Sequence, residues 1–471
     1  MEEIESAATP TTSAVEDAKR RCIALSNRLT NKSKLSLSPS PKATLLRLIN
    51  SELTFLHRLS AASNPSPASF NIGHLEAVVH VLQNPSITGV SRVCKAITLS
   101  PSRSIYVDIV CSLNGNPVWF IVSDRNPSYI TWDGDSSHKG KGLRKKIEQV
   151  VDAARESPVT LMPSSVVLFF SNGLDDYVCE KLKHEFGGNY LELMEHFSYE
   201  EIELEEEWMD VMLGRSFSEA CVIEIKIDKD HGRMNERKLL DSTKVDGLVV
   251  CKMYGANFDL NLGTSLCSLV SAMKCWCCSL DDNTVFEVGL SKQLPHASES
   301  KLVNFDTTAM VAIVSGISNG GTKKLLATPE SELRGRFKGN YEFVIAQVES
   351  ENHNAIHIEL SAIVAGKRGI ICESVFSEFK ELISMCGGPN EKLRAEYFLN
   401  FLKVVPDCPS ARLMGLPTTR KLALKNKLVF GTGDYWYAAT VTANMAFVRA
   451  VSQTGMSLPV IEHRPRALIG D

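Results

Sequence analysis

The sequence predicts an α/β protein in which an amino-terminal α/β domain precedes a carboxyl-terminal domain with a mainly parallel sheet. Three observations carry this. Between about residues 90 and 125 the segments VCKAITLS, SIYVDIVCSL and PVWFIVSD are strand-like, and Asn114-Gly115-Asn116-Pro117 is a hairpin turn signal between the last two. Across residues 301–471, short buried-strand patterns alternate with segments of helical spacing, as in sheets joined by crossover helices. The 471 residues, 44% hydrophobic and 23% charged, suit two or three globular domains of roughly 100–200 residues each.

In chain order, residues 1–65 read as a polar, disordered tail followed by a helical hairpin. AVEDAKRRCIALSNRL and KATLLRLINSELTFLHRL space their apolar residues three and four apart, with the turn-rich NKSKLSLSPSP between them. Residues 66–195 form the first α/β domain. Its three strands are followed by a basic helix (KGLRKKIEQVVDAAR), a buried strand (SSVVLFF) and a second helix (LDDYVCEKLKHEF). Residues 196–300 are a connecting region opened by EHFSYEEIELEEEWMD. Such an acidic run is a solvated helix or linker, or a docking segment for a protein partner. Residues 301–471 form the last domain.

Charge is unevenly spread. The net value is −4, but residues 301–471 carry 20 Lys and Arg against 16 Asp and Glu, which leaves the rest at −8. The positive excess lies at the carboxyl end, where residues 401–471 hold nine basic and four acidic residues. No apolar stretch approaches the roughly 18 residues of a membrane span, and the amino terminus lacks the apolar core of a secretory leader, so no membrane role is expected. Thirteen cysteines are scattered, several in apolar runs (Cys22, Cys94, Cys111, Cys372), as for reduced thiols in the cytoplasm or nucleus.

The last domain repeats one arrangement. LVNF runs as a strand into Asp306, and apolar residues then recur at helical spacing. Gly369 to Cys372 reads as a strand entering a helix that bears Glu373, Glu378 and Glu381. KLVF reads as a strand, Gly431-Thr432-Gly433 as a tight turn, and Asp434 as the first residue of a helix. Carboxyl ends of parallel strands converge on one crevice, so Asp306, Glu373 or Glu378, and Asp434 are expected to share a pocket. Clustered carboxylates repel unless a cation lies between them. Hard oxygen ligands suit Mg²⁺ or Mn²⁺, which can activate water against a phosphodiester. The simpler reading is that each Asp caps a helix and satisfies free backbone N–H groups. Both readings stand at this level.

VNFDTTAMVAIVSGISNGG, VVPDCPSAR and FGTGDYWYAATVTANMAFVRA resemble the DUF1308, or UPF0415, family, and the order of the acids resembles that of the PIN-domain superfamily. The resemblance covers about residues 301–471, and the amino-terminal domain resembles that family's companion domain. It implies a compact PIN-like α/β/α fold and, for active members, metal-dependent ribonuclease chemistry. Carried over by position, Asp306 matches the acid ending strand one, Glu378 the helical acid, and Asp434 the acid opening a D-x-x-x-A-A helix. A fourth acid follows the next strand in active members; here LPVIEHRPRAL offers only Glu462.

Two functional classes follow. In one, the carboxylates hold Mg²⁺ or Mn²⁺ for RNA cleavage while Arg412, Arg420, Lys421, Lys425, Lys427, Arg464 and Arg466 engage phosphates. In the other, the PIN-like fold is a catalytically silent scaffold or a module that binds RNA or protein. Other signals are weaker. Cys275, Cys277 and Cys278, with Cys251 and Cys267 upstream, lack paired zinc-ligand spacing. Asp108 and the hairpin after it resemble a restriction-endonuclease-like layout, but the following strand has no acid-x-Lys. The basic run from His138 to Lys146 reads as a solvated helix start, and GTGD lacks the Gly-Lys-Ser/Thr of a phosphate-binding loop.

Overall fold

The computed structural model describes residues 10–30, 37–60, 70–100, 103–134, 142–193, 216–227, 262–276 and 302–471. The acidic run near residues 195–210, Cys251, Cys277, Cys278 and the segment 138–141 lie outside them. The chain divides into two compact units, Met1–Asp228 with Ser452–Ser457, and Lys229–Val451 with Leu458–Asp471.

A six-stranded mixed sheet organises the first unit. Its strands are β1 (Ile87–Ser100), β2 (Arg103–Leu113), β3 (Asn116–Ser123), β4 (Ser165–Phe170), β5 (Asn189–Tyr190) and β6 (Cys221–Lys226), in the order β1-β2-β3-β4-β6-β5. The β2–β3 hairpin turns where expected. Asn114 and Gly115 take φ of 50° and 80°, the left-handed pair that a two-residue turn requires. Alternation along β3 sends Val118, Phe120 and Val122 into one core and Trp119 and Ile121 into the other. The helical hairpin Pro10–Thr30 and Pro39–Ser60 contributes to the first core with helix Ile72–Leu82, while helices Leu143–Glu156 and Asp176–Phe186 cover the opposite face. Strand β6 comes from the stretch expected to be only a connection, and it extends the sheet by pairing antiparallel with β4.

The second unit is built on an all-parallel sheet of five strands: β7 (Leu302–Phe305), β8 (Arg368–Cys372), β9 (Leu402–Val405), β10 (Ala439–Thr442) and β11 (Val460–Glu462). Their order is β11-β10-β7-β8-β9, so β7 is central. Helix Thr307–Val314, apolar nearly all round, is buried beside it, as a core helix must be. Phe305 packs edge-on against Phe398 of helix Pro389–Leu399. A segment from the connecting region also belongs here. Helix Thr264–Ala272 precedes Trp276, whose indole N–H donates to the Gly369 carbonyl at 2.9 Å.

One expected element is overturned. The stretch read as a strand and a glycine turn is a single helix, Leu424–Tyr435, and Asp434 stands in its last turn rather than opening the next helix. The next regular element is β10, formed by residues read as helical. The glycines serve close approach, not a turn. A Cβ at Gly431 would lie 2.8 Å from the Pro409 side chain, and one at Gly433 would collide with the Thr440 hydroxyl and sit 2.9 Å from Nδ2 of Asn304. The helix therefore rests directly on the sheet. Asn304 Nδ2 donates to Thr440 Oγ1 at 3.0 Å and to the Val429 carbonyl at 3.3 Å, which ties β7 to β10 and to that helix.

Candidate functional site at the carboxyl ends of the parallel strands

Asp306 leaves β7 in extended conformation and caps helix Thr307–Val314. Its Oδ1 accepts from the Ala309 amide at 2.8 Å and from the Thr308 hydroxyl at 2.7 Å, and its Oδ2 accepts from the Thr442 hydroxyl at 2.5 Å. The two hydroxyls are themselves anchored. Thr308 Oγ1 accepts from the Ala443 amide at 2.8 Å and Thr442 Oγ1 from the Asn444 amide at 2.9 Å. One carboxylate thus fastens the ends of two adjacent strands and starts a helix. Its exposure is 4%, and burial raises its pKa against the opposing pull of hydrogen bonds from Thr442, Thr308 and the helix amides.

Beside it, helix Glu373–Cys386 brings Glu378 into place. The Thr307 hydroxyl donates to Glu378 Oε2 at 2.5 Å, and Lys425 Nζ lies 2.6 Å from Oε1. Glu373, Glu378, Glu381, Asp407 and Lys425 line an open groove of about 630 Å³ with Met385. Asp407, which follows β9, accepts from the Ser374 amide at 3.1 Å and from the Ser374 hydroxyl. Burial pushes its pKa up, but these bonds and one from the Cys372 thiol outweigh that and hold it below the usual carboxylate value.

The structure brings together Asp306, Glu373 and Glu378 at one end of the sheet and leaves Asp434 elsewhere. Asp434 lies at the opposite end of its helix from Lys425, about 13 Å away at 1.5 Å per residue. It is buried against Arg412, with NH1 to Oδ1 at 3.0 Å. Among the described residues, no three of Asp306, Glu373, Glu378 and Asp434 bring ligand oxygens within 4.8 Å of one another. Sequence reasoning missed Lys425 as the partner of Glu378 because it placed a strand where the helix begins. It also missed Asp407, although VVPD carries the same strand-then-acid signal as VNFD.

The proposed phosphate-binding residues divide in a similar way. Arg412 is committed to Asp434. Lys427 is buried, donating to the carbonyls of Leu416 at 2.7 Å and Met414 at 3.3 Å and to the Thr418 hydroxyl at 3.1 Å. Arg466 pairs with buried Glu351 at 2.6 Å. These three are interior, because each cation satisfies carboxylate or carbonyl oxygens that would otherwise be buried without a donor. Arg420, Lys421, Lys425 and Arg464 are exposed, the last donating to Ser350 Oγ at 3.2 Å. Glu462 ends β11 on the surface in register with Thr442. The ten described cysteines, Cys267 and Cys275 included, are thiols outside any disulfide.

Fold and groove define the class: an α/β protein whose second unit, on an all-parallel five-stranded sheet, carries an acidic groove with Lys425 paired to Glu378. Residues 303–471 match the family described as "Protein of unknown function (DUF1308)". No solved structure matches the chain. Among the described residues, no helix is long and apolar enough to cross a membrane.

Proposed function

We propose that residues 303–471 are a PIN-like module that binds rather than cleaves, with the Lys425 ammonium standing where a catalytic cation would be needed. The Glu378–Lys425 contact carries this reading. In the PIN pattern an acid opens the helix that precedes the last motif strand, and another follows that strand. In the observed register the helix opens on Leu424 and Lys425, and the residue pair after β10 is Ala443-Asn444. Two of four acidic positions are therefore not acidic. The remaining two carboxylates have their oxygens engaged by hydroxyls, an amide and an ammonium. Thiols that stay out of disulfides suit a place in the cytoplasm or nucleus.

The test uses the full chain and labelled single-stranded RNA with Mn²⁺. Wild type is expected to leave the RNA intact and to melt at the same temperature with and without Mn²⁺. Lys425→Asp, which removes the ammonium and adds a ligand, is expected to gain Mn²⁺-dependent stabilisation, about 2.7 kcal/mol at a hundredfold excess over Kd. RNA cleavage by wild type that Glu378→Gln abolishes would overturn the proposal.

A second reading, a Mg²⁺- or Mn²⁺-dependent ribonuclease, is favoured by the four acids on one groove. Lys425 is 58% exposed at its side chain, and a swing into solvent would free Glu378 for a metal. In either reading RNA would meet the exposed cations alone. Arg420→Ala with Lys421→Ala is expected to reduce the salt slope of RNA affinity by about 1.4, since each phosphate neutralised on a single strand contributes about 0.7. Lys427→Met should leave the slope unchanged. A slope that responds to Lys427 and ignores Arg420 and Lys421 contradicts this surface.

A further inference from the structure

We propose that His74, Cys94 and Asp108 of the first unit form a Zn²⁺ site with three protein ligands and water in the fourth position. Their ligand atoms, an imidazole nitrogen, a thiol sulfur and a carboxylate oxygen, lie within 4.8 Å of one another, and this is the one such group among the described residues. Each comes from a different element of the same core: His74 from helix Ile72–Leu82, Cys94 from β1 and Asp108 from β2. A tetrahedral ion with bonds of about 2.0–2.3 Å spaces its ligands within that separation.

The surroundings are those of a held ligand set. Asp108 is 3% exposed; Oδ1 lies 3.0 Å from His74 Nε2, and Oδ2 accepts from the Val122 amide of β3 at 2.8 Å. That second bond fixes the carboxylate plane and leaves Oδ1 to the histidine, as outer-shell bonds do at metal centres. Cys94 has φ of 47°, a left-handed value in the middle of a strand and costly for a residue with a Cβ. Its neighbours Val93 and Lys95 keep regular pairing with Ile109 and Val107. At this point of β1 the left-handed residue is the one that supplies sulfur.

The donor set selects the ion. Thiolate and imidazole suit borderline-soft Zn²⁺ and reject Mg²⁺ and Ca²⁺, which prefer oxygen throughout. Thiolate and carboxylate together neutralise a divalent charge, as a mostly buried site requires. His74 is the most exposed of the three at 22% of its side chain, so solvent reaches the centre from its side. Lys146 of helix Leu143–Glu156 is the cation that Asp108 otherwise feels, and Tyr106 faces Cys94.

The test is metal analysis of the full chain followed by replacement with Co²⁺, whose thiolate ligation gives a near-ultraviolet charge-transfer band. Wild type is expected to hold about one equivalent and show the band. Cys94→Ser should lose it. His74→Gln should keep it at an affinity lowered by about tenfold or more. Cys275→Ser combined with Cys277→Ser and Cys278→Ser should keep both band and affinity. Wild type that shows no band with equimolar Co²⁺, or a band that survives Cys94→Ser, overturns the site. If Cys94→Ser does not fold, unchanged Co²⁺ affinity in His74→Gln overturns it equally.

Discussion

Asp434→Ala is expected to destabilise the second unit by about 3–5 kcal/mol, with or without Mn²⁺, because it strands the Arg412 guanidinium in the interior. The side chains of the pair are 3% and 6% exposed and 3.0 Å apart. Removing one ion leaves the other uncompensated, which costs far more than the pair contributes. Replacing both by apolar residues of similar volume, as in Arg412→Met with Asp434→Leu, should restore most of the loss. Hydrogen exchange of helix Leu424–Tyr435 is a local readout. Protection that survives Asp434→Ala while a divalent-ion effect disappears would return Asp434 to a ligand role and refute the structural assignment.

Asp306→Ala is expected to cost about 1.5–5 kcal/mol, combining a lost helix cap of about 0.5–2 with a buried Thr442 O–H left without its acceptor at about 1–3. Asp306→Asn should lie within about 0.5 kcal/mol of wild type at neutral pH. Its amide oxygen can still accept from the Ala309 amide and the Thr308 hydroxyl, and its NH₂ can donate to Thr442 once that hydroxyl turns. The pH dependence has a definite sign. The folded-state pKa of Asp306 is raised, so its contribution is fully present below the unfolded value and is lost as pH rises through the folded one. Asp306→Asn should therefore gain on wild type between pH 4 and 7. Urea titrations at the two pH values measure this, and a variant that falls further behind as pH rises would show that the ionised carboxylate is favoured.

Much of the first unit was legible in residue order because its signals are local. Asn-Gly between alternating strands demands a tight turn, and the period-two pattern of β3 assigns each side chain to one of two cores. Strand β6 was missed although CVIEIK carries a strand pattern, since the acidic, poorly patterned residues around it dominated the reading. In the second unit β7 and β8 were readable as short apolar runs, and β11 only through the family resemblance. Helix Leu424–Tyr435 was not. Val429, Phe430 and two glycines favour a strand and a turn by propensity, and the helix forms because Gly431 lets its backbone approach Pro409 and Gly433 lets it sit on Asn304 and Thr440.

The site divides along the same line. Residue order alone placed Asp306 at a strand end with a helix behind it, and a cap follows from that juxtaposition because free amides at a helix start need an acceptor within three residues. It also placed Glu378 on a helix entered from β8. Only the tertiary structure decided what surrounds them. Whether Lys425 or Asp434 reaches Glu378 depends on which end of one helix lies over the strand ends, and whether Arg412, Lys427 and Arg466 meet water or buried oxygens depends on partners 22, 11 and 115 residues away in the chain. The approach of His74 and Cys94 to Asp108 is likewise a product of packing. Local sequence sets backbone preference, whereas the charge that faces a carboxylate is set by long-range packing, which no window of residues contains.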